Sequence, residues 1–218
     1  MDTLFSDDDR RRIAEAIESA EDSTSGEIVP YVVLRSGSYD AVPWRAGVLG
    51  ALIVFAAIGL LRLVVPDALP LLAHDGLALA GSLIGGVAAA FLGSAVAPVR
   101  RLLARSDRME AAVRRRAKEA FVDEEIFATR DRTGILLFVS LLEHRIEVLA
   151  DAGIYQQVDD ATWTDVTARI RDGIEAGQLA EGLIDAIERC GALLDEHGLD
   201  ARPDDPDELS SHLRVRDE

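Results

Sequence analysis

One cysteine, Cys190, stands in the whole chain, so no intrachain disulfide can form. That scarcity suits a reducing compartment. Cys190 has apolar neighbours three and four residues away on either side, which marks a packed core thiol rather than a reactive one. Histidine is scarce too: His74, His144, His197 and His212. The first sits in a turn between apolar runs and the last near the chain end, so neither a Ser-His-Asp nor a Cys-His triad is expected. There is no glycine-rich phosphate loop, no CxxC, no HExxH and no GxSxG. The opening residues, Met1-Asp2-Thr3-Leu4-Phe5-Ser6-Asp7, are acidic and carry no apolar run, so a secretory signal peptide is not expected there. Charge itself is missing over two long stretches, Ala46–Leu61 and Gly76–Val99.

Those two stretches reconcile a hydrophobic content of 49% with a formal net charge of −16. A helix of about 20 residues crosses a hydrocarbon core of about 30 Å. Pro43 to Val65 and Gly76 to Val99 are both long enough, so residues 43–99 are expected to form a transmembrane helical hairpin. Arg62 stands near the end of the first span, where its side chain can reach the headgroups. Trp44 and Arg45 mark one interface, and Arg100, Arg101 and Arg105 mark it again after the second span. The connection between the spans, Pro66 to Asp75, holds no Lys or Arg, so the positive-inside rule places both termini in the cytoplasm. Gly81 and Gly85 form a GxxxG step, and Gly47 and Gly50 add a second small patch. Either these let the two helices approach closely, or they drive a homodimer through the membrane helices.

Charge sign varies along the chain. Residues 1–42 hold 10 acidic and 4 basic side chains, residues 100–118 hold 2 and 8, and residues 119–218 hold 25 and 9. The basic stretch lies where anionic headgroups would be, so the lipid bilayer is its expected partner. A chain this acidic is a poor candidate for nucleic acid.

Outside the hairpin the pattern is that of a soluble domain. Ser6 caps an acidic first turn, and Ile13, Ile17 and Ala20 repeat at helical spacing. Glu27 to Leu34 reads as a strand buried on both faces, with Pro30 suggesting a bulge or an edge position. A long helix is expected from Arg100 to Phe127. Gly134–Ser140 and Arg145–Ala150 read as strands joined in an antiparallel hairpin. Two helices follow, Asp160 to Ala176 and Leu179 to His197, with Gly177 between them. The first strand leads to the second by a helical crossover, so those two should be parallel. The expected class is α/β: a three-layer α/β/α sandwich on a small mixed sheet, with the membrane hairpin inserted. Its parts are residues 1–42, the hairpin 43–99, residues 100–198 and a disordered acidic tail, 199–218.

One end of this sheet collects carboxylates. A turn centred near Leu142 and Glu143 puts Gly134 opposite Asp151, and so brings Asp131 near Asp151. Glu27 begins the parallel first strand at the same end, and Asp123, Glu124 and Glu125 close the helix that feeds it. Carboxylates with few histidines favour hard cations, Ca²⁺ or Mg²⁺, and no organic cofactor is called for. The alternative is ordinary solvated loop carboxylates, with Arg130 and Arg132 offsetting charge or holding an anion. Glu147 shares a strand face with Arg145 and Asp151, where a cross-strand ion pair is the plain reading. By the expected connectivity this end lies away from the membrane, toward cytosol.

Three segments carry a family resemblance: Thr24-Ser25-Gly26-Glu27-Ile28-Val29, Arg130 through Ser140, and Arg145-Ile146-Glu147-Val148-Leu149-Ala150-Asp151. With Gly173-Ile174 and Gly177 through Leu183, they resemble the TPM domain, in a bacterial branch with a two-helix membrane insert. Where that family commonly has Lys-Asp-Asn-Gly, this chain has Arg-Asp-Arg-Thr-Gly, so Asp131 is kept and Arg132 and Thr133 replace the amide-bearing step. Some relatives bind calcium and some are phosphatases. By resemblance Asp131 is the first metal candidate, then Asp151, then Glu147 and Glu27. The expectation is a bacterial inner-membrane protein whose cytoplasmic TPM-like domain binds or maintains other membrane proteins. The alternative is a divalent-metal-dependent phosphatase acting on phosphomonoesters.

Overall fold

The structure is a computed structural model that describes residues 4–22, 24–39, 41–64, 75–96, 98–99, 106–155, 157–199 and 208–217. The expected interface residues Arg100, Arg101 and Arg105, and most of the connection between the spans, lie outside the described residues. Two compact units emerge: residues 1–36 with 110–218, and residues 37–109.

The larger unit begins with α1, Asp7–Glu21. Ser6 and Asp9 cap it reciprocally: the Asp9 N–H donates to Ser6 Oγ at 3.1 Å, and the Ser6 N–H donates to Asp9 Oδ2 at 2.9 Å. That exchange holds the Asp9 carboxyl below its ordinary pKa, chiefly through the Ser6 hydroxyl. β1 is Glu27–Val33, β2 is Gly134–Ser140 and β3 is Arg145–Ala150. β1 runs parallel to β2 with Glu27 opposite Gly134, and β2 runs antiparallel to β3 with Ser140 opposite Arg145, as the sequence suggests.

Because strand side chains alternate, β1 and β2 bury two different faces. Ile28, Val32, Ile135, Leu137 and Val139 pack with Ile13 and Ile17 of α1 and with two later helices. In chain order, α4 is Ser106–Asp123, α5 is the short Ala152–Tyr155, α6 is Asp160–Glu175 and α7 is Leu179–Glu196. Val29, Tyr31, Val33, Leu136 and Phe138 pack instead with Val113, Ala117 and Ala120 of α4. The result is the α/β/α sandwich. α6 and α7 cross where a Cβ on Gly173 would sit 2.6 Å from the Gly182 Cα, so neither position tolerates a side chain.

Three expectations need correcting. The helix after the hairpin is expected to reach Phe127 but stops at Asp123, because Glu125 takes a left-handed φ of 55° and starts a 3₁₀ turn at Ile126–Ala128. The tail is not wholly structureless: Arg214–Arg216 form β4, parallel to β1, giving the sheet order β3-β2-β1-β4. Pro30 marks neither a bulge nor a sheet edge, since β1 keeps continuous register with β2 and lies inside the sheet. The Glu27 N–H bonds toward β2 and the Leu34 N–H toward β4, so by alternation the missing donor of Pro30 faces the β4 side. There β4 pairs only Tyr31 to Val33, and no ladder bond is lost at Pro30.

The second unit holds α2, Ala41–Val64, and α3, Asp75–Ala95. They pack through small residues. A Cβ on Gly50 would collide with the Ala89 Cβ and lie 3.0 Å from the Gly85 oxygen, and one on Gly86 would lie 3.0 Å from the Gly47 oxygen. The Ser82 hydroxyl, buried in this seam, donates to the Ala78 carbonyl of its own helix at 2.7 Å. Arg62 Nη1 reaches Asp75 Oδ1 at 3.0 Å and ties the end of α2 to the start of α3. The large side chains face outward, among them Leu52, Ile53, Leu83, Ile84 and Phe91. Both helices are long and apolar enough to cross a membrane.

Candidate functional site

Glu27, Asp131 and Asp151 stand at the end of the sheet the sequence indicates. The Asp151 N–H donates to the Gly134 oxygen at 2.9 Å, which closes the β2–β3 hairpin there. Arg132, just before β2, has a left-handed φ of 59°. Its guanidinium grips Asp151 in a fork, Nε to Oδ2 at 2.5 Å and Nη2 to Oδ1 at 2.8 Å. Asp151 is 5% exposed and also accepts the N–H of the next residue, Ala152, at 2.6 Å. The hydrogen bond and charge of Asp151 raise the Arg132 pKa further.

Glu27 is also engaged. Its two carboxylate oxygens accept successive backbone amides of the chain end, Glu208 N at 3.0 Å and Leu209 N at 3.2 Å. Asp131 is exposed on the turn before β2. The Gly153 N–H donates to the Arg132 oxygen at 3.0 Å, so this turn lies against the segment that follows Asp151. A Cβ at Gly153 would lie 2.6 Å from the Asp131 carbonyl oxygen. Glu147 lies opposite Phe138 on the α4 face, and the neighbouring Arg145 pairs with Glu110 at 3.6 Å.

The donor set for a hard cation is therefore not assembled in this arrangement. Among the described residues no group of three or more His, Cys, Asp or Glu side chains converges. Asp151 faces a guanidinium and Glu27 faces two amides, whereas a cation needs several oxygens free to turn toward it. The sequence offers Arg132 as a charge that offsets its neighbours or holds an anion, not as the fork on Asp151, and it does not show Glu124 as a partner of Arg214. Glu124 Oε2 holds Arg214 Nε at 3.1 Å, with the Arg214 side chain 4% exposed. The alternation Leu213-Arg214-Val215-Arg216 hints at a strand there but is too short to mark one.

The opposite end of the sheet holds a buried polar cluster. Glu143 accepts the Ser36 N–H at 3.0 Å and the hydroxyl of Ser140, and the hydroxyls of Ser36 and Ser140 lie 2.7 Å apart. All three residues are buried. A cleft of about 460 Å³ also opens toward this end, between Leu4, Leu141 and the α6–α7 connection, away from Asp131 and Asp151. Cys190 is fully buried, and burial pushes its thiol up to about 12.

Comparison with known proteins agrees with this fold. No curated protein matches the chain. A solved structure, the NMR structure of the BA42 protein from the psychrophilic bacterium Bizionia argentinensis, is 18% identical, with a TM-score of 0.59 over 97% of this chain and 95% of that one. At that identity the likeness is one of fold. The family model for the TPM domain matches residues 95–193. That span holds β2, β3, helices α4 to α6 and most of α7, while β1, which completes the centre of the sheet, is contributed from before α2 and α3. The chain carries a TPM domain.

Proposed function

We propose that this chain is a membrane-anchored binding module: α2 and α3 hold it in the bilayer of the bacterial inner membrane, both termini are cytoplasmic, and the TPM domain engages other membrane proteins. The observation that carries the anchor is the reversed packing of the hairpin. Its glycines and alanines meet inside and its leucines, isoleucines and phenylalanines face out, an arrangement suited to an apolar solvent. The observation that favours binding over catalysis is that Asp151 and Glu27 are each already engaged by groups of this chain.

Two measurements test this. The protein should stay in the membrane fraction through an alkaline carbonate wash, and a reporter fused after Glu218 should read as cytoplasmic. Mild crosslinking in membranes should recover a reproducible membrane-protein partner. Release by carbonate defeats the anchor, and repeated capture of nothing defeats the module.

A second reading, a divalent-metal-dependent phosphatase, rests on the exposed Asp131 beside the segment that follows Asp151. It calls for phosphomonoester hydrolysis by detergent-purified protein that needs Ca²⁺ or Mg²⁺, stops with chelator and is lost in Asp131→Asn. Activity unchanged by that substitution removes this reading.

A further inference from the structure

Residues 208–217 lie along the outer side of β1, and they fall beyond the span that the TPM family model matches. Without them β1 would be the edge of the sheet. That edge is already partly closed. The Ile28 N–H is taken by Glu21 Oε1 at 2.7 Å, and Pro30 has no N–H to offer. The ladder open to another strand starts at Tyr31, and β4 pairs there from Tyr31 to Val33. The Leu34 N–H then donates to the Arg216 oxygen at 3.1 Å.

The side-chain partners that β1 and its neighbours offer this segment are carboxylates. Glu27 clasps the amides of Glu208 and Leu209. Glu124 pairs with Arg214 at 3.1 Å and with Arg216 at 3.7 Å. Glu21 accepts the Ser211 hydroxyl at 3.4 Å. The segment supplies what carboxylates select: free backbone amides and two guanidinium groups. It also supplies Leu213, which is buried in the same core as Ile28 and Val32. So the acceptor reads an extended backbone, a leucine, and an arginine directly after it.

We propose that the outer edge of β1 is a docking site for a basic, extended segment of a partner protein with such a leucine–arginine step, and that residues 208–216 fill it in cis. The partner segment adds as a parallel strand where β4 now lies, with its arginine on Glu124. Charge complementarity favours a basic occupant, since the acceptor residues Glu21, Glu27 and Glu124 are acidic in a chain of net charge −16. Tethering gives the internal segment an effective concentration on the order of millimolar, so a partner binds mainly when the internal segment is released.

The test keeps the full chain. A protease site is placed within residues 203–207, the detergent-purified protein is cleaved there, and a fluorescent peptide with the sequence of residues 208–217 is added. The cleaved protein should stay folded by circular dichroism and take up one peptide per chain. Uncleaved protein should take up the peptide roughly tenfold less or weaker still, because the tethered segment competes. A peptide carrying Arg214→Glu should not bind. Unfolding on cleavage, or failure to exchange in large peptide excess, would make the segment a fixed part of the fold and overturn the proposal. Equal uptake by cleaved and uncleaved protein, or by the Arg214→Glu peptide, would overturn it as well.

Discussion

The two units of this protein bury opposite kinds of residue. In the sandwich, Leu136, Leu137, Phe138 and Ile187 are inside. In the α2–α3 pair, Ala78, Ser82, Gly86 and Gly93 are inside, and Leu83, Ile84, Val87 and Phe91 are outside. Water drives the first arrangement, because burying apolar area gains about 25 cal/mol per Å². It cannot drive the second, where the apolar area faces out and close backbone packing is what the interface gains. One chain therefore follows two packing rules, each suited to a different solvent.

The same substitution should separate the two rules. Leu137→Ala empties a fully buried site between β1 and β3 and should cost about 2–5 kcal/mol, read as a lowered urea midpoint in detergent. Leu83→Ala, on the outward face of α3, should leave that midpoint within about 0.5 kcal/mol of the parent. In the hairpin the sensitive change is an addition. Gly50→Leu drives a side chain into Ala89 and should force α2 and α3 apart, seen as maleimide labelling of a cysteine placed at Ser82, which is buried in the seam of the parent. A large cost at Leu83 with tolerance at Gly50 would mean that the hairpin packs like a soluble core.

Within the sandwich a smaller effect is expected at Glu143. Glu143→Ala takes the carboxylate from the Ser36 N–H and the Ser140 hydroxyl; the hydroxyl can still turn to Ser36 Oγ, 2.7 Å away, so one buried donor, the Ser36 N–H, loses its acceptor at a cost of about 1–3 kcal/mol. Glu143→Gln retains an acceptor and should recover part of that loss.

Cys190 sharpens the contrast through pH. Burial raises its folded pKa to about 12, against 9.0 unperturbed. The folded thiol therefore keeps its proton above pH 9, where the unfolded one begins to release it. Any stability difference tied to Cys190 is constant below pH 9 and falls as pH rises toward 12, by about 1.4 kcal/mol per pH unit at most. Subtracting the urea midpoints of Cys190→Ala from those of the parent across pH 8 to 10.5 isolates it from other titrating groups. A flat difference would mean that the thiol is reachable by solvent.

Much of the sheet was legible because its determinants are local. Gly134-Ile135-Leu136-Leu137-Phe138-Val139-Ser140, a short turn and Arg145 to Ala150 fix a hairpin register from spacing alone, and the parallel partner follows from the long connection. β4 was hidden because three residues hold too little periodicity, and its anchors, Glu27 and Glu124, are distant in sequence. The carboxylate end was legible, but the partners its carboxylates take were not. Spacing shows that Asp131 and Asp151 belong to neighbouring turns, whereas the direction of the Arg132 side chain depends on a left-handed backbone that a single sequence does not announce.

Arg132 is where the smallest net effect is expected, because two consequences of one substitution oppose each other. Arg132→Gly removes the fork on Asp151, which leaves a largely buried carboxylate with the Ala152 N–H and Arg132's former place open to water. It also removes a Cβ from a backbone at φ 59°, a conformation that glycine adopts freely. The thermal midpoint should therefore move less than in Arg132→Ala, which loses the fork and keeps the strain. Calcium titration of the same pair separates structure from function. If the guanidinium is what occupies Asp151, both variants should bind Ca²⁺ more tightly than the parent, and adding Asp131→Asn should abolish the gain. No calcium binding in either variant would leave the Arg132–Asp151 pair as a brace for the turn, and the domain as a binding module without a metal.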